Sequence, residues 1–191
     1  MRFGRKLAHL LAQKPHETPP GRAARLPRMS VTPPATDALD AFDRQILAIV
    51  QRDCQRKTEA IASEIGLSAS AVQRRLKRLR AQGVIRAEIA VLDRAAAGPG
   101  LTLVAGLEIA HDNYPALAAF RAWADREDAI QQVYYVTGQV DLIAIVTARD
   151  MAAYDALCAR LMAEIPMIRR INTNVVIDAI KLGLQVPVAP A

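Results

Sequence analysis

The feature that most limits what this chain can fold into is a short break, Gly66-Leu67-Ser68, between two stretches that each repeat apolar residues at helical spacing. Ahead of it, Ile61, Ala62 and Ile65 give a short helix its inner face, with Thr58 placed to cap it. Behind it, Val72, Leu76 and Leu79 follow the i, i+4, i+7 spacing of a buried stripe. Gly66 supplies the backbone freedom for a tight turn, Leu67 plugs the core, and Ser68 caps the helix that follows. An earlier stretch, Asp40 to Gln51, places Phe42, Ile46, Ile49 and Val50 on one stripe and acids near its start, where the helix dipole favours them. Two helices joined by about four residues with a glycine in the turn make helix-turn-helix geometry. A three-helix unit is therefore expected over 37–86, with Gly83 stopping the last helix and Val84-Ile85-Arg86 resuming as extended chain, as in a wing.

The third helix carries the chemistry. From Ser68 to Arg86 there are six basic residues, Arg74, Arg75, Lys77, Arg78, Arg80 and Arg86, and no Asp or Glu. With Val72, Leu76 and Leu79 facing the core, Ser70, Arg74, Lys77 and Arg78 point the opposite way, and Gln73 and Arg75 take the flanks. Amide and hydroxyl groups can read base edges, while guanidinium and ammonium groups hold phosphates. The candidate DNA contacts are therefore Ser68, Ser70, Gln73, Arg74, Arg75, Lys77 and Arg78. A basic face is often only solvated surface, but like charges with no compensating acid repel one another, and the preceding turn pattern favours binding.

The net charge of +6 does not make that case by itself. Residues 1–36 hold seven basic residues and one acid, which is the entire excess, together with six of the eleven prolines, so a disordered basic arm is expected there. Met29 offers a shorter start just before Asp37. The remainder is neutral but uneven, at +3 over 37–99 and −3 over 100–191, which suggests two domains with different partners. The longest apolar runs fall short of the roughly 18 residues a membrane span needs, and no small-residue cleavage site follows the basic start. Cys54 and Cys158 stand far apart, forming neither a metal-binding pair nor a disulfide framework, and a cytoplasmic location is expected.

The second half reads as strand, helix, strand, strand, helix, strand. Leu101–Ile109 and Ile130–Val136 are strand-like and flank an amphipathic helix at Tyr114–Asp125 with Leu117, Phe120 and Trp123 inward. Then come a strand at Asp141–Ala148, a helix at Met151–Glu164 with Tyr154, Leu157, Leu161 and Ile165 inward, and a long last strand, Arg170–Ile180. That order is the ferredoxin-like arrangement over 101–186, four antiparallel strands with both helices on one face, following a linker at 87–100 whose Gly98-Pro99-Gly100 is a hinge; 187–191 is a tail. The whole is thus an α+β chain, a winged helix-turn-helix followed by a ferredoxin-like domain. The uncovered sheet face is most simply hidden against another copy. Gly138, within Val136 to Asp141, is the turn glycine of the hairpin between the middle strands.

At this point LDAFDRQILAIVQRD and AIASEIGLSASAVQRRLKRLRAQGVIR, followed in order by YYVTGQVDLIAIV, DMAAYDALCARLMAEIPMIRR and TNVVIDAIK, resemble the leucine-responsive regulator and AsnC (Lrp/AsnC) family of bacterial and archaeal transcription factors. The resemblance covers about 37–186. It implies dimers through the second domain, assembling further into tetramers or octamers, and a small effector, usually an amino acid, held in a cleft between dimers. By motif position the effector-binding candidates are Val136, Thr137, Gly138, Asp141, Thr173 and Asn174. An α-amino acid needs an acceptor for its ammonium and donors for its carboxylate, and Asp141 with loop N–H groups could supply both. Gln139-Val140 departs from the common family pattern, in which an acidic or small residue is followed by an aromatic one.

Two other functions share these domains. Siroheme decarboxylases are built from the same pair, but a tetrapyrrole cleft calls for proton donors and cations. Of three histidines, His9 and His16 lie in the arm and His111 at a strand end, while Tyr114, Tyr134 and Tyr135 remain candidates for a pocket, although aromatic residues at strand and helix starts are usually packing. No nucleophile elbow, phosphate loop or metal-ligand cluster occurs, so no catalytic residue, metal or cofactor is expected. A chromosome-organising DNA binder without an effector would use the same recognition helix, and differs only in lacking a coupling between small molecules and DNA affinity.

Overall fold

A computed structural model describes residues 39–98, 100–110 and 114–188. The expected basic arm, Pro99 of the hinge, and His111 lie outside the described residues. The chain divides into two compact units: the described residues up to Ala90 together with those from Gly183 onward, and Val91–Leu182.

The first unit contains α1 (Ala41–Val50), α2 (Thr58–Ile65) and α3 (Ala69–Ala81). Ile46, Val50, Ile61, Ala62, Val72, Leu76 and Leu79 form its core, which is the apolar stripe of each helix turned inward. Asp40 caps α1 by a reciprocal capping box with Asp43. Between α2 and α3 the chain turns at Gly66, whose φ of 72° is left-handed, and Leu67 N–H bonds Ala62 O at 3.0 Å. Ser68 Oγ then accepts Ala71 N–H at 3.2 Å and starts α3.

Three local expectations differ. Thr58 is the first residue of α2, and Lys57 holds the cap position with no side-chain bond. Phe42 is not on the buried stripe; it is 36% exposed, with the Arg75 guanidinium over its ring at 5.6 Å. Val84 and Ile85 do not yet run as extended chain: they donate backbone bonds to Leu79 O at 2.9 and 3.2 Å, fold around the C-terminus of α3 and pack on the core. Two apolar side chains gain more from that burial than from an unpaired strand in water.

A single helical turn, α4 (Arg94–Ala97), precedes the second unit's sheet. There β1 (Leu101–Ile109), α5 (Tyr114–Ala124), β2 (Ile130–Tyr135), β3 (Leu142–Ala148), α6 (Met151–Glu164) and β4 (Ile168–Val175) follow in the βαββαβ order. The strand order is β2-β3-β1-β4, with all pairs antiparallel. Alternation on the central strands sets the two faces. Leu103, Ala105, Leu107, Leu142, Ala144 and Val146 are buried and share a core with Leu117, Phe120 and Trp123 of α5 and Tyr154, Leu157 and Leu161 of α6. Val104, Ile143 and Ile145 look the other way and are only half-buried. β4 stops at Val175, five residues short of the expected Ile180. Its partner runs out: Val175 pairs with Leu103, Val176 N–H reaches Thr102 O, and β1 begins at Leu101. Beyond that point Ile177, Ile180 and Leu182 are exposed.

Candidate functional site

On α3 the buried stripe leaves a ridge directly opposite, formed by Ser70, Arg74 and Lys77, with Gln73 beside it; all four are exposed. Arg74 and Lys77 make no ion pair among the described residues. The cations on the helix flanks are arranged otherwise. Arg75 Nη1 donates to Asp40 Oδ2 at 2.6 Å and to Asp43 Oδ1 at 2.9 Å, and Arg78 Nη2 donates to Asp43 Oδ2. On the other flank Arg80 pairs with Glu88 at 2.7 Å.

The absence of acids within Ser68 to Arg86 is therefore compensated from outside the stretch, and the expected mutual repulsion of its charges is relieved. Arg75, expected on the flank, and Arg78, expected to point away from the core, are both held by the start of α1, with the Arg78 side chain still 42% exposed. Ser68 is exposed, but its Oγ accepts the Ala71 N–H and lies 3.1 Å from Ser70 Oγ.

Asp43 is 1% exposed, the one buried charged residue among those described. Its carboxylate receives Asp40 N–H at 3.3 Å as well as the two guanidinium groups, which meets the requirement that a buried charge be paired and hydrogen-bonded. The Asp43 N–H bonded to Asp40, and then Arg75 beside it, hold the Asp40 carboxyl below its usual range; the two carboxylates in turn raise Arg75.

In the second unit the loop from Val136 to Asp141 closes the β2–β3 hairpin. Gly138 has φ of 140°, the conformation its turn role requires, and Thr137 and Gly138 are exposed. Val136 N–H donates to Asp141 O, and Asp141 N–H to Leu107 O, both at 2.9 Å. Asp141 Oδ2 accepts Ile109 N–H at 2.8 Å, so the side chain ties the hairpin to the end of β1.

Thr173 and Asn174 relate differently to that loop: Asn174 lines a concavity together with the loop residues Gln139 and Val140, and Thr173 does not. They pair with Ala105 and Val104, and Val104 is three positions from Leu107, roughly 10 Å along the strand at about 3.3 Å per residue. They also face opposite ways. Thr173 is on the helix-covered side, its hydroxyl 2.6 Å from that of Tyr154, and burial pushes the Tyr154 phenol up to about 12. Asn174 faces the open side and lines a concavity of about 460 Å³ with Val104, Gly106, Val140, Ile143 and the polar group Glu108, Gln139, Arg170 and Asn172. Asn172 Nδ2 donates to Glu108 Oε1 at 3.2 Å. The latter polar residues were missed because alternation along one strand does not say which residue of another strand lies beside it. No group of three or more His, Cys, Asp or Glu suited to a metal occurs among the described residues, and no described helix is long and apolar enough to cross a membrane.

Residues 39–80 match the AsnC-type helix-turn-helix domain, and residues 102–186 match the Lrp/AsnC ligand binding domain. The chain is 35% identical over 150 residues to the uncharacterized HTH-type transcriptional regulator y4tD of Sinorhizobium fredii, an alignment covering 78% of this chain and 89% of that one. An AsnC family transcriptional regulator from Agrobacterium tumefaciens has a similar structure, with a TM-score of 0.71 and 30% identity over 78% of this chain and 97% of the other. The fold is shared as well by the transcriptional regulator NMB0573 of Neisseria meningitidis, solved as a complex with L-Met, at a TM-score of 0.71 and 23% identity, with 78% and 97% of the chains covered. With both domains matched in their order and regulators aligned along most of their length, the chain belongs to the Lrp/AsnC family of DNA-binding transcriptional regulators.

Proposed function

We propose that this regulator reads a specific operator through the outward ridge of α3 and that its second unit answers to a small amino acid. The exposed ridge of Ser70, Gln73, Arg74 and Lys77 carries the reading: it presents a hydroxyl and an amide able to meet base edges beside two cations with no internal acid. Ser68 at the helix start is suited to a phosphate contact. Arg75 and Arg78 stay on Asp40 and Asp43, outside the set of phosphate contacts, since leaving them for a phosphate exchanges one charged partner for another.

For the effector, the loop offers the Thr137 and Gly138 N–H groups and the Asp141 carboxylate, while the Val136 and Asp141 N–H groups hold the loop in shape. Asn174 adds an amide on the open side of the sheet, and Thr173 acts from the helix side through Tyr154. The L-Met complex of the Neisseria protein supports an amino acid in this class of domain. The half-buried apolar residues Val104, Ile143 and Ile145 favour a homodimer formed across the open face, with larger assembly following from it. Such a protein works in the cytoplasm, where the chromosome is.

The test is fluorescence anisotropy of a fragment from upstream of the protein's own gene, at several salt concentrations, with and without the twenty amino acids. Tight, salt-sensitive binding that shifts with one amino acid is the expected result. Binding that no amino acid changes would leave an architectural DNA binder, and affinity equal to that for random DNA would remove the operator reading.

A further inference from the structure

We infer that Asp43 is a positioning residue of DNA recognition: it withdraws Arg75 and Arg78 from the phosphates and leaves Arg74 and Lys77 as the cations that meet them. The inference rests on the DNA-facing role proposed for α3. Asp43 lies on α1, outside the recognition helix, and it is buried, so it cannot touch DNA itself. Both its oxygens are spent on α3, Oδ1 on Arg75 and Oδ2 on Arg78, residues one helical turn apart on the same flank. Asp40 adds a second bond to Arg75, and the Asp40–Asp43 capping box fixes both carboxylates to the backbone of α1.

Four charges are thus closed into a neutral cluster, with Arg75 only 21% exposed and stacked over Phe42. Two consequences follow. The cluster pins the roll of α3 that the buried stripe Val72, Leu76 and Leu79 sets, and so holds Ser70, Gln73, Arg74 and Lys77 as the outer ridge. It also lowers the number of mobile cations available for contacts that carry no sequence information, so it favours the correct operator over random DNA.

The experiment uses the full-length protein and measures the slope of log affinity against log salt for the operator fragment and for random DNA. Each phosphate contact contributes about 0.9 to that slope, or roughly a threefold change in affinity between about 50 and 200 mM salt. Arg74→Gln and Lys77→Gln are each expected to reduce the slope by about 0.9, whereas Arg75→Gln and Arg78→Gln leave it unchanged. Asp43→Asn is expected to steepen it by about 0.9 to 1.8 and to narrow the gap between operator and random DNA, and Asp43→Glu to restore the wild-type slope. A purely structural role would weaken binding without steepening its salt dependence. The inference is overturned if Arg75→Gln or Arg78→Gln flattens the slope as Arg74→Gln does, or if folded Asp43→Asn keeps the wild-type slope. Should Asp43→Asn not fold, the two arginine variants decide alone. Wild-type protein that prefers no fragment would instead overturn the operator reading, which the same titrations reveal separately.

Discussion

Asp40 shows how one side chain can serve an element and a domain together. It caps α1, and it grips Arg75 on the far side of the helix-turn-helix. Because both bonds favour the charged form, its carboxyl titrates lower in the folded chain than in the unfolded one. Asp150, capping α6 through the Ala153 N–H, is lowered in the same sense. A depressed carboxylate adds stability above its unfolded pKa and loses it as pH falls through the folded value, since the unfolded chain then binds more protons. The urea midpoint of the wild type should accordingly fall as pH drops from about 5 towards 3, and Asp40→Asn should lessen that fall while still capping α1. An identical fall in both proteins would show that Asp40 contributes nothing to it. Gly66 is a second residue with a sharp expectation. Nothing lies within 4 Å of where a Cβ would stand, so Gly66→Ala is penalised by its φ of 72° alone, by about 1 to 2 kcal/mol in chemical denaturation. Gly66→Asn should cost less, because Asn tolerates the left-handed region.

At the scale of the elements, what was legible was whatever is encoded locally. The bounds of β1 at Leu101–Ile109 and of α6 at Met151–Glu164, and the buried stripe of α3, come directly from alternation and helical spacing. What was not legible needed a partner. The end of β4 is set by where β1 starts, and the acids that neutralise Arg75 and Arg78 lie 32 and 35 residues upstream. Val84 and Ile85 look strand-like alone but find a core to enter. The candidate effector residues divide in the same way: the loop Val136 to Asp141 was evident from its glycine and flanking strands, whereas which of Thr173 and Asn174 lies on the open side depends on which sheet face α6 covers.

Asp141 carries the prediction at this level, since it both ties β3 to β1 and is the proposed ammonium acceptor. Asp141→Ala removes the tie and should cost about 1 to 3 kcal/mol, from the Ile109 N–H left without its partner. Asp141→Asn keeps an oxygen for Ile109 but loses the charge. It should therefore melt near the wild type and bind DNA normally while its response to amino acids falls at least tenfold. A full response in a folded Asp141→Asn protein would move the ammonium site elsewhere, with Glu108 on the open face the next carboxylate to test.

For the whole molecule the decisive asymmetry is between the two sides of the sheet. One side is closed by α5 and α6, and the other presents Val104, Ile143 and Ile145 around a concavity lined in part by Gly106, where a Cβ would stand 3.0 Å from the Val140 side chain. Apolar surface left in water on a central pair of strands is a standing free-energy cost of about 25 cal/mol per Å², removed when two such faces meet. A symmetric pair also brings two recognition helices to one DNA molecule, so that the second half-site binds at high effective concentration. Both gains require the same contact and should be lost together. Sedimentation equilibrium of the 20.8 kDa chain should give at least twice that mass at micromolar concentration, and Ile143→Lys should return it toward the single chain. The same substitution leaves the sequence of α3 unaltered, yet it should weaken operator binding about a hundredfold through loss of bivalency, while binding to an isolated half-site stays as it was. If Ile143→Lys keeps the wild-type mass, the open face is not the interface; if it becomes monomeric but holds the operator as tightly as before, one recognition helix suffices.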